Sequence, residues 1–354
     1  MERRGSADGL VGRKRRIFYH GVSRREEEGL DLEMLKKRAA IIRQVRSFFD
    51  DKNYLELDTP LLSPDLIPES CLEVFETERL FPQDCKNENR PLWLVPSPEI
   101  WMKKIIARHS VDVYQICKCF RNGESSGHLH SPEFTMLEYY TMNADYMDSL
   151  ALTEELFVRL AEKANNARLQ PPFLRITVAE AFERYADFDI FTAAEKEGAL
   201  EDHARRLGLD PPSGMTTGGL YDLIFIHVVE PHLKAEKPVA LLDYPAFVPC
   251  LAKKSPNGKT VERWELYCGG IELANCFSEE TDPQRVKDFF INEAAEKDKS
   301  ALVKHNVDGD YWKMFQEKSG CGFPQCSGVA LGLDRLVMAL TDRLSIDAVL
   351  PFSI

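Results

Sequence analysis

The chain alternates between segments with a helical apolar period and segments with the two-residue period of β-strands. Apolar residues at three- and four-residue steps from Leu32 predict a first helix that ends near Asp50, and an alternating strand follows until Pro60 stops it. The same patterns predict helices at 98–109, 145–165, 283–298, 308–318 and 333–340, and strands at 92–95, 111–120, 133–141, 261–268, 271–277 and 327–332. Antiparallel hairpins separated by helices are typical of an α+β fold rather than a doubly wound sheet.

Two segments stand apart from this hairpin pattern. Residues 1–30 carry eight arginines and lysines, which predicts a flexible basic arm. We expect this arm to be a solvated tail, and contact with nucleic acid is the alternative. Residues 170–245 predict a mostly helical insertion with loops at Pro211-Pro212 and Gly218-Gly219. The remainder, from 31 to 354, is expected to form one folded domain around this insertion.

Composition and charge indicate a soluble protein. Hydrophobic residues make up 44% of the chain, charged residues make up 29%, and the formal net charge is −12. This negative charge argues against a broad nucleic-acid-binding face. No apolar run approaches the length of about 18 residues that a transmembrane helix needs, and residues 1–30 lack the apolar core of a signal peptide. We therefore expect a cytoplasmic protein.

The nine cysteines have irregular spacing, which predicts free thiols rather than a disulfide framework. Cys117 and Cys119 lie near His128 and His130 in the sequence, so a zinc site is an alternative. Because C-x-C with H-x-H is not a usual spacing for structural zinc, we favour cysteines that fill an apolar strand.

Two short motifs resemble catalytic sequences without having their context. Gly258-Lys259-Thr260 matches the end of a P-loop, but Lys253 stands where the first glycine is required. The segment 123–127 fits the nucleophile elbow G-x-S-x-G of hydrolases, with Ser125 as the nucleophile. A strand follows it, whereas that elbow needs a helix. We expect a surface turn for the first motif and a loop for the second.

Two arginines, each next to a predicted strand or helix that fixes its backbone, indicate a triphosphate site. One follows a strand in Phe120-Arg121-Asn122, and the other opens an apolar helix in Gly332-Leu333-Asp334-Arg335. The planar guanidinium fork stays charged and binds phosphate oxygens in pairs. For the second arginine, the alternative is that Gly332 and Arg335 only mark the end of a strand and the start of a helix, without binding a ligand.

Alternation along the strand at 133–141 places an aromatic ring, a carboxylate and a phenol on one face. The residues on this face are Phe134, Met136, Glu138 and Tyr140. Together they can stack a base and hold a cation. A sheet face that simply packs under a helix is the alternative.

Gly269-Gly270 predicts a two-residue hairpin turn between two strands. In that register Glu272 pairs with Tyr267 and lies diagonally across from Glu265, roughly 7–8 Å away. Two carboxylates at this spacing can share a magnesium ion. The same register places three further residues on the opposite face unless a bulge intervenes, and the sequence does not show one: Asn275, Phe277 and Glu279.

Over residues 32–354 the chain resembles the catalytic core of class II aminoacyl-tRNA synthetases, which implies an antiparallel sheet flanked by helices. The helix from Leu32 and the strand before Pro60 resemble motif one, the dimer interface of that family. Residues 120–140 resemble motif two, and residues 328–340 resemble motif three. Three runs are specifically similar to lysyl-tRNA synthetases: Ser97-Pro98-Glu99, 132–138 and 271–275.

The chain is also similar to the elongation factor P–lysine ligase family. About 30 residues precede motif one, too few for the anticodon-reading OB domain of lysyl enzymes, and residues 326–330 resemble the ligases. This resemblance implies ATP-dependent activation of lysine, preferably (R)-β-lysine, and its attachment to a lysine side chain of elongation factor P. Ala330 stands where lysyl enzymes have glycine, and its methyl group fits a shifted amino group. One methyl group discriminates by only ~1–3 kcal/mol.

The resemblance also implies roles for individual residues of a catalytic domain spanning 31–354. Arg121 would be catalytic and hold the α-phosphate and the carboxylate, and Arg335 would be catalytic and cover adenine and the γ-phosphate. The other ATP-binding residues would be Asn122, Glu124, Ser131, Phe134 (stacked on adenine), Glu272, Leu273 and Gly332. The substrate-binding residues would be Ser97, Pro98, Glu99, Tyr140, Asn275, Phe277, Glu279 and Ala330. Glu265 and Glu272 would hold Mg²⁺.

ATP and Mg²⁺ are thus the implied cofactors, and elongation factor P, a lysine and a second copy of the chain are the implied partners, without tRNA. A truncated synthetase paralogue that charges tRNA or another amine is one alternative, and an inactive regulatory paralogue is another. Motif two departs from the family pattern, since Gly123 stands where glutamate is usual and Ser131 replaces asparagine. The acceptor amine must lose a proton before it attacks, and the sequence does not identify the group that takes it.

Overall fold

The computed structural model describes residues 31–81, 89–124, 127–316 and 322–352. The predicted basic arm at 1–30 and Ser125 of the G-x-S-x-G motif lie outside these residues. The strands are β1 (Leu55–Glu56), β2 (Leu62–Ser63), β3 (Glu76–Arg79), β4 (Arg90–Leu94), β5 (Val113–Phe120), β6 (Glu133–Met142), β7 (Leu174–Thr177), β8 (Val239–Pro245), β9 (Thr260–Cys268), β10 (Ile271–Ser278) and β11 (Cys326–Gly332). The α-helices are α1 (Leu32–Asp51), α2 (Glu99–His109), α3 (Tyr146–Ala164), α4 (Val178–Ala186), α5 (Ile190–Ala194), α6 (Ala199–Arg206), α7 (Thr217–Ile224), α8 (Pro283–Ser300) and α9 (Leu333–Leu340).

Eight strands form one mixed sheet in the order β1-β5-β6-β11-β10-β9-β8-β7. The five pairings between β5 and β8 in this order are antiparallel. The pairs β1–β5 and β8–β7, at the two edges of the sheet, are parallel. The strands β2, β4 and β3 form a separate antiparallel sheet. Helices flank the large sheet, so the predicted α+β fold is confirmed.

The main hydrophobic core closes one face of the large sheet. Phe49 from α1 and Phe157 from α3 are buried there with Tyr139, Trp264 and Leu331 of the strands. Because successive side chains of a strand point to opposite faces, the residues between these core positions point to the other face. That other face carries the candidate site.

Side-chain caps fix where the long helices begin. Asp31 accepts hydrogen bonds from the amides of Glu33 and Met34 at the start of α1. Asp145 begins α3 with a capping box: its carboxylate accepts a bond from the amide of Asp148, and the Asp148 carboxylate accepts one from the amide of Asp145. Such caps satisfy amides that the first turn of a helix leaves without a partner. They fix the first residues of α1 and α3.

The predicted helix at 308–318 is wrong within the described residues, which contain only a 3-10 helix at Tyr311–Phe315 there. Tyr311 stacks on Phe290 of α8 with ring centroids 4.7 Å apart, and Phe315 stacks on Phe323 at 4.3 Å. A single short turn buries both rings, so the apolar spacing did not require a longer helix. The predicted strand before Pro60 is likewise reduced to β1.

The segment from 170 to 245 contains α4 to α7 and supplies most of a second hydrophobic core, to which β9 also contributes. Phe182, Tyr221 and Phe225 are buried in this second core. The segment begins at β7 and ends at β8, and these two strands pair with each other in the large sheet. None of the helices in the described part of the chain combines the length and the apolar character that crossing a membrane requires.

Candidate active site

Two adjoining pockets form a single cleft over the polar face of the sheet. The smaller, of about 220 Å³, is called the acidic pocket here because Glu99, Glu138 and Glu279 line it. The larger, of about 370 Å³, is called the arginine pocket because Arg121 and Arg335 line it. Both pockets share eight lining residues: Glu69, Cys71, Leu72, Arg121, Met136, Arg263, Asn275 and Ala330.

The structure brings most of the residues singled out in the sequence to this cleft. The acidic pocket is lined by Ser97, Glu99, Tyr140, Asn275, Phe277, Glu279 and Ala330. The arginine pocket is lined by Arg121, Glu124, Ser131, Phe134, Glu265, Glu272, Leu273, Gly332 and Arg335. Pro98 and Asn122 line neither pocket. Pro98 is the N-cap residue of α2, and Asn122 is held away because its amide and side chain donate to the carbonyls of Glu73 and Val74.

A β-bulge in β10 corrects the expected register of the hairpin. Glu272 pairs with Tyr267 as predicted, but the register shifts at Leu273, so that Asn275 pairs with Glu265. The extra residue turns the following side chains by one position. Asn275, and with it Phe277 and Glu279, therefore shares a face with Glu265, and the expectation of opposite faces is wrong. Leu273 gave no signal because it is neither glycine nor proline.

A buried lysine forms ion pairs with two of the carboxylates that line the acidic pocket. Nζ of Lys103, on α2, lies 2.6 Å from Oε1 of Glu99 and 2.6 Å from Oε2 of Glu279. The Lys103 side chain is 1% exposed. Burial raises the pKa of Glu279 to about 7, and the charge of Lys103 opposes this rise. The lysine thus keeps two carboxylates at fixed positions beside the pocket.

Glu138 is a carboxylate of this pocket that Lys103 does not bind. Its Oε1 accepts a 2.7 Å hydrogen bond from the hydroxyl of Tyr140. Its Oε2 is buried and has no hydrogen-bond partner among the described residues. Burial, together with the neighbouring Glu99, raises the pKa of Glu138. A buried acceptor without a donor is costly, so this position suits a ligand that brings a donor or a positive charge.

Three guanidinium groups line the arginine pocket, and two of them, Arg121 and Arg335, have few partners in the protein. The guanidinium carbon of Arg121 lies 5.2 Å from the ring centroid of Phe134, and its closest carboxylate, Glu124, is 3.8 Å away. Arg335 donates to the carbonyl oxygens of Glu272 at 2.9 Å and Leu129 at 3.3 Å. Both arginines keep donors free for the oxygens of an anionic ligand.

Asp334 fixes the helix start that carries Arg335. Its Oδ1 lies 2.5 Å from Nη2 of Arg38 on α1, and its Oδ2 accepts a 2.6 Å bond from the amide of Thr135. Nη2 of Arg38 also donates to Oγ1 of Thr135 at 3.0 Å. This buried network ties α1, β6 and α9 together at the arginine pocket. The position of Arg335 relative to Phe134 is thereby set by three elements.

Glu265 and Glu272 lie together in the arginine pocket as a pair of carboxylates. Arg263 donates to Oε1 of Glu265 at 2.6 Å, and Tyr267 donates to Oε2 at 2.6 Å. Burial and the charge of Glu265 raise the pKa of Glu272 to about 7. A divalent cation relieves this repulsion, and paired carboxylate oxygens are donors that Mg²⁺ accepts. The residues present therefore fit the ion that the sequence implied.

The zinc alternative gains no support from the described residues, which contain no group of three or more His, Cys, Asp or Glu side chains arranged to hold a metal. Cys119 is buried in β5. Nδ1 of His130 lies 2.6 Å from Oε2 of Glu124.

Comparisons with known proteins show the family of this chain. The family model described as tRNA synthetases class II (D, K and N) matches residues 23–354. A Haemophilus influenzae (strain PittGG) protein named elongation factor P–(R)-β-lysine ligase is 34% identical over 325 residues, which are 92% of this chain and 96% of that protein. A protein of the same name from Vibrio atlanticus is 35% identical over 329 residues, 91% of this chain and 95% of that protein. The chain belongs to this ligase family. The predicted class II synthetase fold and the family resemblance are thus confirmed.

The site of this family member contains residues that sequence reasoning missed. Lys103 follows Glu99 by one helical turn, so the i, i+4 spacing on α2 was an available signal. Arg263 precedes Glu265 by two residues on β9, so strand alternation could have found it. Glu69 lies outside the helices and strands, where no period marks it.

Gly328 lines the acidic pocket, and no side chain can replace its hydrogen without movement of its neighbours. A Cβ atom at this position would lie 2.5 Å from Cε1 of Tyr140 and 2.7 Å from Oε1 of Glu279. Both neighbours are buried side chains of the acidic pocket. The absence of a Cβ atom lets β11 pass directly beneath these two groups.

We expect Gly328→Ala to raise the KM for the substrate that binds the acidic pocket by about 10-fold and to lower the free energy of unfolding by about 1–3 kcal/mol, because overpacking displaces Tyr140 and Glu279. Gly309→Ala is the matched control, since nothing lies within 4 Å of a Cβ atom there. Amino-acid activation kinetics and urea denaturation measure the two effects. Equal KM values for the two variants would show that the close approach has no role in binding.

Proposed function

We propose that this protein activates a lysine with ATP as a lysyl-adenylate and transfers the lysyl group to a lysine side chain of elongation factor P. The observation that carries the proposal is the joining of the acidic pocket to the arginine pocket at Arg121. One pocket suits a molecule with ammonium groups, and the other suits a polyphosphate. The names of the relatives supply the identity of the acceptor.

The acidic pocket selects a dication with one carboxylate. We assign one ammonium group of the substrate to the carboxylates of Glu138 and Glu279 and the hydroxyl of Tyr140, where Oε2 of Glu138 has no partner among the described residues. Glu99 and Asn275 orient the second amino group beside the carboxylate. This arrangement leaves the substrate carboxylate at Arg121, which lines both pockets.

The arginine pocket holds ATP. Phe134 stacks adenine, Arg335 binds the adenine side and the γ-phosphate, and Arg121 stabilises the charge that builds on the α-phosphate as the carboxylate attacks. Glu124, Ser131, Leu273 and Gly332 line the same pocket. Glu265 and Glu272 would hold a magnesium ion, which would supply charge neutralisation at the phosphates. Attack by the substrate carboxylate releases pyrophosphate and needs no covalent enzyme intermediate.

We propose (R)-β-lysine as the preferred isomer. Ala330 lines both pockets and pairs with Asn275 on one side and Glu138 on the other. Its methyl group therefore lies between the residues assigned to the substrate amino groups. An amino group moved by one carbon avoids this methyl, and the discrimination is worth only about 1–3 kcal/mol.

The rest of the assembly is also a proposal. We propose a cytoplasmic homodimer in which α1 and the exposed side chains of Leu55, Leu61 and Leu62 contribute to the interface. Residues 31–354 are proposed to act as one catalytic domain that includes the segment at 170–245. We propose that elongation factor P, and not tRNA, is the acceptor.

Lysine-dependent ATP–pyrophosphate exchange tests the function. We expect exchange with purified protein, Mg²⁺ and either α-lysine or (R)-β-lysine, with kcat/KM for the β isomer higher by about 10–200-fold. Reactions without amino acid and with ornithine, whose chain is one methylene shorter, are the controls. Absence of exchange with every lysine from folded protein would rule out the ligase proposal and favour an inactive paralogue. Exchange followed by transfer to tRNA alone would favour the truncated synthetase.

A further inference from the structure

Glu69 is a carboxylate at the junction of the two pockets, and the binding roles assigned above do not use it. It lines both the acidic pocket and the arginine pocket. Within the described parts of the chain, no donor is hydrogen-bonded to its carboxylate. The only bond to this residue there from a side chain is made by Lys297 to its backbone oxygen.

Most other carboxylates of the cleft already have a protein donor, which sets Glu69 apart. Glu99 and Glu279 are bound to Lys103, Glu138 to Tyr140, Glu265 to Arg263 and Tyr267, Glu124 to His130, and Glu293 to the amide of Ser70. Glu272 is the proposed metal ligand. Glu69 is therefore the carboxylate that stays available when ATP, Mg²⁺ and lysine are bound.

The loop that carries Glu69 is held in place from α8. Nζ of the buried Lys297 donates to the carbonyl oxygen of Glu69 at 3.0 Å and also to that of Leu72. Glu293 accepts a 2.9 Å bond from the amide of Ser70. These three bonds fix the backbone that directly follows the Glu69 side chain. General acid–base catalysis requires a group that is held at a defined position, and a fixed loop backbone helps to hold Glu69 there.

We infer that Glu69 is the general base that takes the proton from the acceptor lysine of the protein substrate. This inference rests on the proposed function. The acceptor ammonium gives one proton to the Glu69 carboxylate, and the neutral nitrogen then attacks the carbonyl carbon of the lysyl-adenylate. A C–N bond forms, the bond from that carbon to the phosphate oxygen breaks, and AMP leaves with the electron pair. The second nitrogen proton passes to water as the amide forms.

The location and the charges around Glu69 suit this role. The adenylate carbonyl must lie near Arg121, which shares both pockets with Glu69. The charged and titratable groups that face Glu69 are Glu99 from α2, Arg121 after β5, Lys297 and Glu293 from α8, and Cys71 of its own loop. Burial, reinforced by Glu99, raises the pKa of Glu69 to about 7, while Arg121 and Lys297 oppose the rise. A base is effective when its pKa lies near the working pH.

The two half-reactions separate this role from substrate binding. We expect Glu69→Gln to keep lysine-dependent pyrophosphate exchange within about threefold of the unmodified protein, because activation of lysine needs no base here. Single-turnover transfer from the enzyme-bound adenylate to elongation factor P should fall by about 10²–10⁴-fold. Glu69→Asp should restore part of this loss. Glu296→Gln, the same change at an exposed position of α8 outside the cleft, should leave both steps unchanged.

The pH profile gives a second readout that a structural role would not move. In the unmodified protein, the transfer rate should level off above a pH near 7, whereas in Glu69→Gln it should keep rising with pH as the acceptor ammonium loses its proton to solvent. Transfer at the unmodified rate by Glu69→Gln would overturn the inference. An equal loss of exchange and transfer would overturn it too, because it would make Glu69 a substrate-binding residue. Absence of exchange by the unmodified protein would instead contradict the proposed function itself.

Discussion

Arg121→Ala is expected to lower the rate of lysine-dependent pyrophosphate exchange by about 10³-fold, the range in which arginines act on transferred phosphoryl groups. Arg121 lines both pockets, so its guanidinium is the cation placed where the substrate carboxylate meets the α-phosphate. The contacts of its side chain with the protein are weak, because Glu124 lies 3.8 Å away and Phe134 contributes only a cation–π contact through its ring. The free energy of unfolding should therefore change little, and the loss should appear in kcat.

Two control variants sharpen the Arg121 experiment. Arg121→Lys keeps the charge but loses the two-pronged donor geometry, so we expect it to recover only part of the activity. Arg205→Ala removes a surface arginine that pairs with Glu201 on α6, and it should leave exchange unchanged. Exchange by Arg121→Ala at a rate close to that of the unmodified protein would exclude adenylation at this site. Titration of the lysine and ATP concentrations separates effects on kcat from effects on KM.

The sequence predicted the central strands β5, β6, β9, β10 and β11 well because each carries a local signal. The alternation along β6 placed Phe134 and Tyr140 on one face, and the structure has both in the cleft. The Gly269-Gly270 turn fixed the pairing of Glu272 with Tyr267. In these cases, a short-range period or a turn residue determines the direction of a side chain, so no knowledge of the tertiary structure is needed.

The sequence could not predict features that depend on contacts between distant segments. The bulge at Leu273 is defined by the register with β9 and β11, and it alone brings Asn275 to the site face. Lys103 reads as one of two adjacent lysines on an amphipathic helix, and only the fold shows that it is buried between two carboxylates. The helix predicted at 308–318 failed because aromatic packing against α8 needs only one turn.

Lys103→Met is expected to lower the free energy of unfolding by about 3–5 kcal/mol at neutral pH. The variant keeps a long apolar side chain but leaves Glu99 and Glu279 without their shared cation. Glu279 is 1% exposed, so water cannot take the place of the ammonium. Urea denaturation followed by intrinsic fluorescence measures the loss. Lys104→Met is the matched control, because the adjacent lysine pairs with Asp308 at the surface and should contribute at most about 1 kcal/mol.

The pH dependence of the Lys103→Met penalty identifies its cause. Burial already raises the pKa of Glu279 to about 7, above its ordinary value of 4.5, and removing the lysine removes the charge that opposes this rise. The folded variant therefore binds a proton at Glu279 that the unfolded chain releases, and its stability falls as the pH rises from about 4.5 through the folded-state pKa. The stability difference from the unmodified protein should be larger at pH 8 than at pH 5, and the increase should occur above pH 7, where Glu279 of the unmodified protein releases its proton. A difference of equal size at both pH values would assign the loss to packing around the removed ammonium and not to the unpaired carboxylate.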